Sequence, residues 1–417
     1  MIAPPSLATL FGESLRVGCL GFGGPVGQIA LMHRVFVDER KWIDEARFQR
    51  MLAFCMLLPG PEAQQLATYV GWRLRGWAGA LIAGWLFVLP GALVVLTLSW
   101  LYVRYGEAPL ASAAFDGVKC AVVALVAEAL FKVGKRALKT RSALWIAFAA
   151  FTALMLGASF PVVIVTAGLV GGVALPTGNQ PASFADSSPV NGGARSALLW
   201  LFLWLAPVVL TGAAFGTDHV LFEIALLFSV LACVTFGGAY ALLAYLTTEA
   251  QARGWLTPDQ MIDGLGLAET TPGPLILVNE FVGFLAGWGQ GGAALAFGGA
   301  MLALWCTFAP SFVWIFAGAP YAERLQNNPR AAGALAAITA AVLGVIAKLA
   351  LFFATHALFA QQVIVGPVEL PDLASARAWM LALALAAAIA LMRLKVNLLI
   401  VLAGCALAGL AARAGGL

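Results

Sequence analysis

Apolar runs separated by short polar stretches make up most of this 417-residue chain. They predict helices over 7–21, 26–38, 46–58, 61–75, 77–103, 108–134, 142–158 and 160–175. After a gap they resume over 196–212, 217–233, 236–250, 259–271, 273–287, 291–317, 330–355, 375–392 and 395–412. The gap, Thr177 to Arg195, reads TGNQPASFADSSPVNGGAR. It is polar and rich in Gly, Pro, Ser and Asn, as a linker should be.

The pattern repeats. Phe22-Gly23-Gly24 recurs as Phe236-Gly237-Gly238, 214 residues on, and Trp42 with Pro59-Gly60-Pro61 recurs as Trp255 with Pro272-Gly273-Pro274, 213 residues on. Tyr69-Val70-Gly71 matches Phe281-Val282-Gly283. Pro90 and Pro109 match Pro310 and Pro329 at an offset of 220. An even set of segments followed by the single crossing 196–212 places the second copy upside down. Charge agrees. His33 to Arg50 carries Arg34, Arg40, Lys41, Arg47 and Arg50, whereas the equivalent Thr247 to Gln260 carries Arg253 alone. The positive-inside rule puts the first of these in the cytoplasm, with the N-terminus. The expected organisation is a first membrane repeat at 1–175, a polar cytoplasmic linker at 176–195, an inverting linker helix at 196–212 and a second membrane repeat at 217–417.

Several segments are too short to cross. A span needs about 20 residues, and 46–58, 61–75, 259–271 and 273–287 fall short of that. They are half-helices meeting at the Pro-Gly-Pro breaks, and 7–21 with 26–38 does the same around Gly23-Gly24-Pro25. The fold class expected is an all-α polytopic membrane protein of two inverted-topology repeats, with broken half-helices meeting near the bilayer midplane.

Composition narrows the field. Hydrophobic residues are 62% and charged residues 11% of the chain, less than half the charge of a soluble domain. A cytosolic enzyme, a nucleic-acid binder and a disordered chain are therefore excluded. Six scattered cysteines without a CxxC pair support neither a disulfide framework nor a metal site. The net charge of +4 is too small to argue for a polyanion partner. MIAPPSLATLFGESLRVG lacks the basic start and cleavage site of a secretory signal, so it is expected to be retained.

Paired discontinuous helices in repeated halves mark the substrate site of a transporter. A helix that starts inside the membrane presents unpaired N–H groups and the positive end of its dipole, which suits an anion. The candidate ligands are Gly23, Gly24, Gln28, Gly60, Pro61, Glu62, Thr270, Thr271, Gly273 and Pro274, with Arg16, whose guanidinium fits an oxyanion. The plainer readings are tight packing for the glycines and prolines, a pair with Glu13 for Arg16, and a first-turn carboxylate for Glu62. Glu269 and Glu280 flank the second break and are the candidates to carry a coupling proton. Glu128 and Lys348, equivalent at offset 220, are expected to pair with each other, and Asp116 with Lys119. His33, His219 and His356 receive no role.

FGESLRVGCLGFGGPVGQIALM, LLPGPEAQQLATYVGWRLRGWAGALIAGWLFVLPG, FGGAYALL and TTPGPLILVNEFVG together resemble the chromate ion transporter family, over essentially the whole chain. The resemblance implies proton-driven export of chromate from the cytoplasm, with sulfate as the related oxyanion. It also implies alternating access in the inner membrane of a bacterium. Ala239 replaces the proline of the first Gly-Gly-Pro in the second copy. No cofactor, metal or catalytic residue is expected. The expected partners are the oxyanion and the lipid bilayer, with a homodimer as an open alternative and no nucleic acid. Other readings are a carrier of sulfate or another anion, a passive channel, and a membrane-embedded enzyme. For the last, no HExxH or G-x-S-x-G motif is present.

Overall fold

The computed structural model describes residues 4–174, 193–236, 238–319, 328–366 and 368–416. The linker expected at 176–195 lies outside the described residues as far as residue 192.

Fifteen α-helices are described. The first seven are α1 (Leu7–Leu20), α2 (Gly24–His33), α3 (Glu45–Cys55), α4 (Glu62–Tyr105), α5 (Pro109–Ala137), α6 (Arg141–Met155) and α7 (Phe160–Ala174). After α8 (Gly193–Phe215) come α9 (Val220–Val234), α10 (Ala239–Ala252), α11 (Pro258–Thr270), α12 (Val278–Gly318), α13 (Pro329–Leu358), α14 (Ala378–Met392) and α15 (Leu398–Ala414). The order short, short, short, long, long, short, short recurs on either side of α8. Among the described residues, five helical stretches are long and apolar enough to cross a membrane: Glu62–Tyr105, Pro109–Ala137, Arg195–Phe215, Leu275–Gly318 and Pro329–Leu358.

Local chemistry explains the ends. Ser6 and Asp44 cap α1 and α3 by accepting from the amides of Thr9 and Arg47. Each of the two longest helices is two helices joined at a kink. In α4 it falls at Arg75 (φ −140°, ψ 25°) and Gly76 (φ 59°, ψ −145°). In α12 it falls at Gly291 (φ −172°, ψ 26°) and Gly292 (φ 71°, ψ −153°). Gly76 and Gly292 take a left-handed φ that glycine adopts without strain. The chain then doubles back so tightly that a Cβ on Gly71 would strike the carbonyl of Gly79, and one on Gly287 that of Leu295.

Four features depart from expectation. The helix expected over 273–287 begins at Val278, because a 3-10 turn, Leu275–Leu277, follows Pro274. Pro274 therefore does not occupy the first turn of an α-helix, and Pro61 stands just before α4. The stretch after α2 continues as a π-helix, Arg34–Glu39. An antiparallel hairpin, β1 (Gln362–Val365) with β2 (Val368–Pro371), lies between α13 and α14. The expected Glu128–Lys348 pair does not form. Glu128 bonds Lys132 one turn on, at 2.7 Å, and Lys348 donates to the carbonyl of Leu154 at 3.0 Å. The local i, i+4 partner needs no tertiary alignment.

The chain divides into two compact units, each drawn from both sequence halves. The first comprises Met1–Thr97, Pro176–Ala239 and Thr271–Ala332, and the second Leu98–Leu175, Tyr240–Thr270 and Gly333–Leu417. Within the first, Trp85 stacks on Trp305 and Phe312 (centroids 5.5 and 5.7 Å), and Trp200 on Phe312 (4.3 Å). Such stacked pairs add to the burial of large apolar area. Within the second, α5 packs on α14 and α15. Gly117 lies against the carbonyl of Cys405 and Gly409 against that of Ala113, so small residues bring these backbones together.

Candidate functional site

Both Pro-Gly-Pro breaks belong to the first unit, and backbone hydrogen bonds cross between the repeats there. The amide of Gly60 donates to the carbonyl of Thr235 at 2.8 Å, and the amide of Gly273 donates to that of Gly21 at 3.0 Å. Gly21 and Thr235 are repeat equivalents, as are Gly60 and Gly273. Each break is thus tied to the turn that follows the first helix of the other copy. The packing crosses in the same way. A Cβ on Gly91 would collide with the carbonyl of Pro272, while its equivalent, Ser311, has its Oγ 4.0 Å from where a Cβ on Gly60 would stand.

A small cavity opens between the breaks. Pro61, Glu62 and Ala63 line it from the start of α4, and Pro274, Leu275 and Ile276 from the 3-10 turn that runs on into α12. Pro25 and Gln28 contribute from α2, and Gly238 and Ala239 from the start of α10. Three α-helix starts, those of α2, α4 and α10, and one 3-10 turn therefore converge on it. Gly24 (φ 67°) and Gly238 (φ 104°) supply the left-handed turns that begin α2 and α10. The free space is about 20 Å³, enough for about one water molecule and too little for a tetrahedral oxyanion.

Gln28 is fully buried. Its Nε2 donates to the carbonyls of Gly273 (2.6 Å) and Gly21 (3.2 Å), and its Oε1 has no partner among the described residues. Its repeat equivalent is Leu242, so this bridge exists on one side only. Behind the cavity wall, α4 and α12 carry more buried polar groups. Gln65 Nε2 donates to the carbonyl of Pro59 at 2.6 Å, and Asn279 Nδ2 to Thr307 Oγ1 at 3.0 Å. Both side-chain polar atoms of Gln64, both carboxylate oxygens of Glu280 and the Ser311 hydroxyl lack a partner among the described residues. Measured from the helix starts at Glu62 and Val278, Gln64 and Glu280 occupy the same third position.

The candidates from the sequence divide. Gln28, Gly60, Pro61, Glu62 and Pro274 line the cavity, and Gly273 is joined to it through Gln28. Gly23 and Gly24 turn the chain into α2 and stand off the lining. Thr271 is buried in the first unit, and Glu280 is fully buried there. Glu269 and Thr270 belong to the second unit. Glu269 accepts from the Tyr240 hydroxyl at 2.9 Å, and Thr270 donates to the carbonyl of Leu267.

Arg16 does not line the cavity. Its Nη1 bonds Glu39 Oε2 at 2.7 Å and Glu13 Oε2 at 3.4 Å, and Arg40 holds the other oxygen of Glu13. The hydrogen bond from Arg16 keeps the Glu39 carboxyl below its usual value. The ion pair with Glu13 read from the sequence is present, with Glu39 added by the π-helix. Thr235 and Gly21 were not distinguishable in the sequence, because each acts through its carbonyl. Asp116 bonds Lys119 as expected, at 3.1 Å. The second unit adds Asp259 on the same ammonium at 2.8 Å, and buried Asp263, which accepts from the Tyr102 hydroxyl.

Comparison with known proteins gives these features a family. The profile of the chromate transporter family matches residues 8–173 and 222–410, two stretches that begin 214 residues apart. A chromate transport protein of Pseudomonas aeruginosa is 34% identical over 346 residues, 82% of this chain and 80% of that protein. One of Cupriavidus metallidurans is 31% identical, covering 80% and 79%. An uncharacterised transporter of Bacillus subtilis, YwrA, is 30% identical over 173 residues, which are 96% of its own length and 40% of this chain. No solved structure matches. The relatives are named as transporters rather than enzymes, and the apolar helices are those of a multi-pass membrane protein. With its family match in both halves and its relatives aligned over four-fifths of its length, this chain belongs to the chromate transporter family.

Proposed function

We propose that the protein exports chromate, or a closely similar tetrahedral oxyanion such as sulfate, from the cytoplasm by alternating access coupled to proton movement. The observation that carries this reading is the convergence of three α-helix starts and a 3-10 turn on one cavity. A helix N-terminus is equivalent to roughly half a unit of positive charge, so the three supply roughly one and a half toward the charge of a dianion. The first turn of an α-helix directs its backbone amides outward along the axis, and such amides are the donors an oxyanion needs. Gln28 and Thr271, both in the first unit, are the side chains proposed to assist. Glu62 is the carboxylate on the lining that opposes an anion.

The crossed hydrogen bonds support two repeats related by a pseudo-twofold axis, since reciprocal contacts are what such an axis generates. The charge bias of the loops supports opposite orientation of the copies with the N-terminus in the cytoplasm, and kinship with bacterial chromate transport proteins supports a bacterial inner membrane. Two forms related by exchange of the repeats' roles give alternating access. Glu280, buried without a partner among the described residues, and Glu269 are the proposed proton carriers. Binding requires the site to expand, because its free space is about that of a water molecule.

The test is uptake of chromate into inside-out proteoliposomes, with sulfate and molybdate in competition, with and without a pH gradient. Uptake should need the gradient and should fall in Gln28→Leu and Pro61→Ala. Undiminished uptake in both variants would remove the site, and undiminished uptake without the gradient would remove the coupling.

A further inference from the structure

The second unit holds a far larger cavity, of about 470 Å³. It is bounded by α10, α13, the turn after α6 and strand β2, and nothing so far assigns it a role. Lys348 stands on its wall. Its one hydrogen bond among the described residues goes to the carbonyl of Leu154, and no described carboxylate lies within ion-pair distance of it. An ammonium within a spanning helix is costly unless it is hydrated or meets an anion.

The repeat sharpens the point. The equivalent residue in the first copy, Glu128, is satisfied by Lys132 one turn on. One turn on from Lys348 the helix carries Phe352, so the second copy has reversed the charge and given up the partner.

Two more residues of the lining carry buried donors. Thr355, 2% exposed, has a hydroxyl without a described partner, and Gln251 on α10 has an amide Nε2 in the same condition. Lys348 and Thr355 are seven residues apart, two turns along one face of α13. The carboxylate on the lining, Glu369, lies 3.6 Å from His356 Nε2 and is turned to that ring. An ammonium, an amide and a hydroxyl from two helices match a tetrahedral group with several acceptor oxygens better than a planar carboxylate. Leu349 and Phe352 add apolar wall beside them.

We infer that this cavity binds a tetrahedral oxyanion group, on Lys348, Thr355 and Gln251, either as a free ion or as the phosphate of a lipid. The inference stands on the second unit alone and does not depend on the cavity between the Pro-Gly-Pro breaks.

The full chain, purified in detergent, tests it with two readouts. Equilibrium binding of radiolabelled sulfate reports a free oxyanion, and native mass spectrometry reports retained anionic phospholipid. Lys348→Gln and the milder Thr355→Val are compared with Lys395→Gln, a change of the same charge outside the cavity. Loss of a charged hydrogen bond should weaken sulfate binding about tenfold or more in Lys348→Gln, or strip the retained phospholipid, while Lys395→Gln does neither. The readout that moves identifies the source. Sulfate binding that disappears in Gln28→Leu but not in Lys348→Gln belongs to the other cavity and counts against this one. Unchanged sulfate binding and lipid retention in folded Lys348→Gln and Thr355→Val overturn the inference.

Discussion

The two copies of the broken-helix stretch share a Pro-Gly-Pro break and a glycine kink and differ in how the next helix begins and in the chemistry beside it. In the first, Pro61 leads straight into α4, and the space beside Gly60 is met by Gln65 Nε2 and Ser311 Oγ. In the second, a 3-10 turn of Leu275, Ile276 and Leu277 intervenes, and the space beside Gly273 is met by Leu277, Gly91 and the carbonyl of Phe87. Polar side chains stand beside one break, and a leucine side chain with backbone beside the other. The frame therefore supplies matched breaks, while the side chains make one side polar and give the site its single glutamine bridge.

The largest effect should come from the closest approach. Gly91→Ser puts a Cβ against the carbonyl of Pro272, where backbone cannot give way, and should cost about 3 kcal/mol or more. Ser311→Ala at the equivalent position removes a hydroxyl that has no partner and should stay within about 1 kcal/mol. Thermal unfolding of the two variants in detergent measures the contrast, and similar costs would mean the two breaks are not built differently.

Glu280 and Gln64 offer the next test, since they hold equivalent places on α12 and α4. Glu280→Gln makes the pair alike and removes one exchangeable proton. Transport by this variant should lose its dependence on the pH gradient while chromate binding remains. A gradient dependence equal to that of the wild type would move the proton elsewhere.

Gln28→Leu copies the second repeat's Leu242 into the first. It removes two hydrogen bonds to the carbonyls of Gly21 and Gly273 and should cost about 1–3 kcal/mol of stability. Hydrogen exchange at the amides of α2 should rise with it. Unaltered exchange there would show that the bridge holds nothing in place.

The smallest effect lies in the connection after α2. His33 bonds Glu45 and faces Asp38 at 3.3 Å, and the hydrogen bond to Glu45 raises its imidazole above the usual value. The charged ring's contribution is full below the unfolded value of about 6.5 and is lost as pH rises through the folded value. A shallow fall in unfolding temperature across that window should vanish in His33→Gln. The second copy has no counterpart of this pair.

Much of the helical frame is readable in the sequence because the marks are covalent. Proline and glycine set the breaks at 59–61 and 272–274 and the kink at Gly76, and apolar length sets the long helices. What is not readable depends on backbone or on distance. The crossed bonds use the carbonyls of Gly21 and Thr235, which any residue would provide. The 3-10 turn is written in Leu275-Ile276-Leu277, three residues that suit an α-helix equally well. The alignment of Tyr69-Val70-Gly71 with Phe281-Val282-Gly283 passes over that insertion. Matching the kinks instead pairs Gly71 with Gly287. Arg16 looked like a ligand because its partner Glu39 comes from a π-helix that no periodicity announces. Glu128 and Lys348 were matched by equivalence, when each had a nearer partner.

The size of the cavity between the breaks has an electrical consequence. A hydrated ion cannot rest in a space of about 20 Å³. On the alternating-access reading proposed above, charge would cross only in discrete turnovers, each requiring the helix starts to part, so reconstituted bilayers should show no standing conductance without substrate.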